Sequence, residues 1–112
     1  MLADVGFIWR YPLWVAGEND DWAVVVWDEQ GKITIAVAVF TNEQAARHYN
    51  SYRLPVPLVQ LDDAAQCRDF LRTVTKKSVP VAFVNVVEKQ LTIEYIAAST
   101  ALLAELLRED CA

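Results

Sequence analysis

His48 as a base and Cys67 as the one plausible thiol nucleophile are the side chains of this sequence that could make a nucleophilic dyad. His48 is the single histidine among 112 residues. A working dyad needs the imidazole within hydrogen-bond reach of the sulfur, with a carboxylate to orient it. Cys67, however, begins an apolar series with Phe70, Leu71 and Val74 at i+3, i+4 and i+7, which turns the sulfur into the core of a helix. The expected pair is therefore a surface histidine beside Arg47 and a structural thiol, and no catalytic residue is assigned.

Other chemistry is equally sparse. Glu18-Asn19-Asp20-Asp21, with Asp28 and Glu29 close by, supplies oxygen donors of the kind calcium takes. The D-x-D-x-D-G order and distal glutamate of an EF-hand are missing, so a solvated hairpin end is expected and no metal is assigned. The glycines, Gly6, Gly17 and Gly31, lie outside any G-x-G-x-x-G or G-K-[ST] context, which leaves no cofactor motif. Thr41 and Asp62 stand at strand-to-helix junctions where amide N–H groups face an anion in other folds. Aspartate would repel one, and a plain helix cap accounts for Thr41.

Two sets of residues suit recognition better than catalysis. Arg68, Arg72 and Lys76 recur every four residues along one flank of a helix, as a docking face for an acidic partner or as a solvated polar face. Four tryptophans are present, Trp9, Trp14, Trp22 and Trp27. Trp22 and Trp27 have opposite parity on one expected strand and so cannot share a face without a bulge. Tryptophan contributes a large contact area at low entropy cost, and one or more of Trp9, Trp14 and Trp22 is expected at an interface or groove.

The elements that must position these residues are legible from periodicity. Lys32 to Phe40 reads as a strand apolar on both sides, hence covered above and below. Thr41 then reads as an N-cap, with Gln44 completing a capping box. Leu13–Ala16 and Trp22–Asp28 precede it as strands, the second joined by a hairpin with Gly31 at positive φ. Pro55 and Pro57 stop the first helix, and Leu58–Leu61 is a short strand. A second helix starts at Asp62 or Asp63 and ends near Lys76 and Lys77. Pro80–Val87 and an alternating Leu91–Ile96 make a second hairpin. A last helix, capped by Ser99 or Thr100, carries Leu102, Leu103, Leu106 and Leu107. Residues 1–11 are too apolar for a disordered tail.

The order β-β-β-α-β-α-β-β-α predicts one α/β domain over residues 1–112. A mixed sheet of five or six strands would hold two right-handed βαβ crossovers flanked by hairpins. Crossovers wound the same way would place both their helices on one face, leaving the last helix or a second subunit to cover the other. The alternative site for chemistry is a pocket at the carboxyl ends of the parallel strands, near Phe40, Thr41 and Leu61.

Composition bounds the partners. Hydrophobic residues make up 54% of the chain, above the roughly 45–50% of ordinary domains. A small domain leaves part of that excess exposed, so self-association, as a homodimer, or docking on another protein is expected. The net charge of −5 repels phosphate backbones and excludes nucleic acid as an expected partner. No stretch approaches the ~20 apolar residues of a membrane span, and no classical signal peptide is evident. Two cysteines, Cys67 and Cys111, make no disulfide framework, so a reducing cytoplasmic setting is expected.

Ala38 to Tyr49, A-V-F-T-N-E-Q-A-A-R-H-Y, is similar to the strand-into-helix signature of the SseB-type N-terminal domain. P-L-W-V-A at residues 12–16 and S-V-P-V-A-F-V-N-V at 78–86 extend the resemblance over about residues 12–97. Val86 follows Asn85 where the family tends to have proline. The resemblance implies a small bacterial cytoplasmic α/β domain with no assigned reaction and supplies no catalytic residues. The sequence as a whole reads as a protein-binding or regulatory module, not an enzyme, with a small-molecule sensor as the alternative.

Overall fold

The computed structural model describes residues 9–18, 21–50 and 56–111. The expectations for residues 1–8, for the tip of the acidic turn at 19–20 and for the helix stop at 54–55 lie outside them. Strand β1 (Leu13–Glu18) leads through β2 (Asp21–Trp22) and β3 (Val24–Glu29) to β4 (Lys32–Phe40) and helix α1 (Glu43–Asn50). Strand β5 (Leu58–Leu61), helix α2 (Ala64–Thr75), strands β6 (Pro80–Val87) and β7 (Gln90–Ala98) and helix α3 (Ser99–Cys111) follow. The class is mixed α/β, as expected, but among the described residues the sheet has seven strands where five or six were expected. The extra strand arises because the expected Trp22–Asp28 strand breaks at Ala23. β2 pairs with β1 and β3 pairs with β4, both antiparallel. Ala23 sits in the fork between them, its N–H donating to the Ala16 carbonyl and its own carbonyl accepting from the Ala38 N–H.

The crossovers also differ from expectation. β5 lies outside β1, paired antiparallel, and β1 meets the end of β4 antiparallel at Trp14 and Phe40. Among the described residues the one adjacent parallel pair is β4 with β6. The chain therefore crosses outward from β4 to β5 and back inward from β5 to β6. Crossovers of one hand that run in opposite directions leave their helices on opposite faces. Accordingly α1 covers one face alone, while α2 and α3 cover the other.

The two faces are packed from different residues. Under α2 and α3 lie Leu13, Val15, Val37, Val39, Val81 and Phe83, met by Phe70, Leu71, Val74, Leu102 and Leu106. Under α1 the sheet is alanine-rich, with Ala16, Ala36, Ala38 and Ala82 facing Ala45, Ala46 and Tyr49. Small residues on both sides let this short helix lie close to the strands. The strict alternation expected for β7 breaks at Glu94, a bulge between the pairs Phe83–Tyr95 and Val84–Ile93. Tyr95 therefore packs on the α2 side while Leu91 and Ile93 pack on the α1 side.

One helix start differs from expectation by a residue and the next falls on one of the two expected caps. Asn42, not Thr41, caps α1: its Oδ1 accepts from the Ala45 N–H at 2.8 Å. Thr41 is still held by the sheet, its N–H donating to the Val84 carbonyl. Asp63 caps α2 by accepting from the Gln66 N–H at 3.0 Å, and the Gln66 side chain reaches back to the Asp62 N–H.

Candidate interaction surface

β4 is covered on both faces only from Ala36 to Phe40; the expectation that the whole strand runs through the interior fails for its first half. β6 begins at Pro80, and the pairing of β4 with β6 begins at Val37 with Val81. The next residue of β4 to face that side is Ile35, which would need an N–H from position 80, and proline has none. The β3–β4 hairpin thus projects beyond the end of β6. Its turn, Gln30-Gly31, has φ of 54° and 83°, the two positive values a two-residue type I′ turn requires.

One side of this hairpin is aliphatic and bare. Val24 pairs with Val37, Val26 with Ile35 and Asp28 with Ile33, so these side chains share the α2 side of the sheet. Val26 is 54% exposed, Ile33 64% and Ile35 47%. Neither α2 nor α3 covers these three. On the other side, Val25 and Trp27 are half-buried against the α1-side cluster.

The hairpin also carries an open strand edge. Its closing pair, Glu29 with Lys32, exchanges main-chain bonds, so Val25 and Trp27 turn theirs toward β4 and Val24, Val26 and Asp28 turn theirs away. The Val24 carbonyl accepts from the Tyr49 hydroxyl at 3.2 Å. Among the described residues, no strand pairs with the outward groups of Val26 and Asp28.

The residues singled out from sequence are spread over the molecule. Trp9 stacks edge-on against Phe83, and its Nε1 donates to Glu105 of α3 at 3.2 Å. Trp22 stands edge-on to Phe70, with Nε1 donating to the Thr73 hydroxyl at 2.8 Å. It also lines a hollow of about 350 Å³ at the fork, with Asp21, Ala23 and Asn50. Trp14 packs on the α1 side and Trp22 on the α2 side, as Trp27 and Trp22 also divide by parity. On α2, Arg68 is half-buried, Arg72 is exposed and paired with Asp69 at 3.2 Å, and Lys76 is exposed just beyond the last turn. Phe40 and Leu61 are buried in the cores of opposite faces. Thr41 lines an open hollow of about 370 Å³ with Arg10, Trp14, Asn42, Glu43 and Gln60, while Leu61 borders a small void in the core on the α2 side. Sequence reading missed Val26, Ile33 and Ile35, because an apolar strand reads the same whether or not something covers it.

The groups with chemical potential do not converge. His48 lies on α1 and Cys67 in the core on the opposite face, so the sheet stands between them. Burial pushes the Cys67 thiol up to about 12, the Tyr11 hydrogen bond opposes the rise, and the Asp63 carboxylate adds to it. Among the described residues no cluster of His, Cys, Asp and Glu has metal-binding geometry, and no helix is long and apolar enough to cross a membrane. A scan of protein-family models finds none that matches the chain, and a search of curated proteins finds no similar sequence.

Proposed function

We propose that this protein is a small protein-binding or regulatory module without a reaction of its own, and that the β3–β4 hairpin is its contact surface. The observation that carries the reading is the bare aliphatic side formed by Val26, Ile33 and Ile35 next to an open edge. Isolated two-stranded hairpins are marginal in water, and exposed apolar edges in native proteins are paired or shielded. The similarity of residues 38–49 to the SseB-type domain belongs to the same proposal, as does a reducing cytoplasmic setting, which the free, buried Cys67 fits.

Substituting Ile33→Glu together with Ile35→Thr tests the reading. Both side chains are exposed, so the thermal midpoint should move little. Proteins captured specifically by the wild-type chain should be lost from the variant. Retention of the same set by a folded variant contradicts the hairpin as the contact surface.

A further inference from the structure

We infer that the occupant of the hairpin's open edge is a second copy of this chain, joined antiparallel through β3 to make one continuous sheet. The inference rests on the hairpin being the contact surface and adds which edge and which partner. Of the hairpin's two edges, that of β4 exposes only Ile33 and Ile35 before the chain entering β6 at Pro80 blocks the way. The edge of β3 meets no such obstacle among the described residues at Val26 and Asp28. Three aliphatic side chains alone fall short of the roughly 800 Å² per partner of a stable interface. Main-chain pairing along β3 therefore has to supply part of the contact.

The sequence of β3, V-V-V-W-D-E, suits itself in that arrangement. With the two-fold axis at Val26, the outward main-chain groups of Val26 face those of the partner's Val26, an isologous contact. On the α1 side, Trp27 of each copy then lies across from Val25 of the other, an aromatic pair with a β-branched residue. The Asp28 residues end up at opposite ends of the seam. A parallel pairing would set like carboxylates side by side. β3 carries none of the lysine, proline or bulge devices that keep edges apart.

A cysteine at position 26 reads this geometry, because facing Cα atoms across a hydrogen-bonded pair are about 5.5 Å apart, within disulfide range. In a Cys111→Ser background, Val26→Cys should form a disulfide-linked dimer more than about tenfold faster than Ile33→Cys, since pairing raises the local concentration of the facing thiols. Ile33 is the more exposed of the two positions, so random collision predicts the reverse. Sedimentation should show a reversible dimer for the wild type and a folded monomer for Val26→Lys. A wild-type monomer at all concentrations overturns the inference. So does a dimer that survives Val26→Lys, or cross-linking that favours position 33. If the wild type is monomeric while Ile33→Glu/Ile35→Thr still loses its captured proteins, another chain occupies the hairpin, and the contact-surface reading stands without the self-pairing.

Discussion

Cys67 carries the clearest perturbed titration among the described residues, and the cause is packing, not function. It shares a small void with Trp9, Leu13, Leu61, Phe70 and Phe83, and its thiol is held neutral by burial, up to about 12. The unfolded chain releases this proton near its ordinary value of 9.0 while the folded chain keeps it. Stability from this residue is thus fully present below pH 9 and declines as pH rises toward 12. The upper limit of that decline is roughly 4 kcal/mol, because each pH interval of one costs about 1.4 kcal/mol. Denaturant melts between pH 8 and 11 should show a steeper alkaline loss for the wild type than for Cys67→Ala. In a Cys111→Ser background the native thiol should react with an aromatic disulfide reagent only as fast as the protein opens. Asn42 and Asn85 belong to this scale as well. Asn42 Nδ2 donates to Asn85 Oδ1 at 2.7 Å, and Asn85 Nδ2 donates to Glu94 at 3.3 Å, tying the start of α1 to β6 and the β7 bulge. Sequence alone could not pick Asn42 over Thr41 as the cap, since either side chain can accept the bond and the sheet's hold on Thr41 decides.

The β3–β4 and β6–β7 hairpins each turn through two residues in the left-handed region, Gln30-Gly31 and Glu88-Lys89, with Glu88 at 52° and Lys89 at 66°. Non-glycine residues there cost roughly 1–2 kcal/mol each. Asparagine and glycine suit a type I′ turn best. Glu88→Asn with Lys89→Gly should therefore raise stability by about 1 kcal/mol, read as a higher thermal midpoint, after the added chain entropy of glycine is allowed for. An unchanged or lower midpoint contradicts the turn geometry. Element boundaries such as β4, β5 and α2 could be read from the sequence because period, caps and prolines act locally. The neighbours of each element could not. That β1 slips between β4 and β5, sending α1 to its own face, depends on pairings distant in sequence. The fork at Ala23 was hidden because alanine continues an apolar run without marking the break. The exposed half of β4 was hidden for a related reason: Pro80, which ends its pairing, lies 45 residues beyond Ile35 in the chain.

At the scale of the whole molecule, a net charge of −5 opposes self-association in general, yet the central part of β3 is uncharged and its acids stand at one end. An antiparallel seam meets through the neutral part, so the dimer should weaken only modestly at low salt, as like charges elsewhere are less screened. The open edge of β3 is the point on which the functional reading and the self-pairing both depend. Hydrogen exchange at the Val26 and Asp28 amides, followed as protein concentration is raised, addresses it directly. Both amides should exchange at near-free rates in dilute solution and become protected together as dimer forms, while core amides such as Val39 stay protected throughout. Exchange at those two positions that is already slow in the dilute monomer, or equally fast at every concentration, would contradict an edge that takes a second copy.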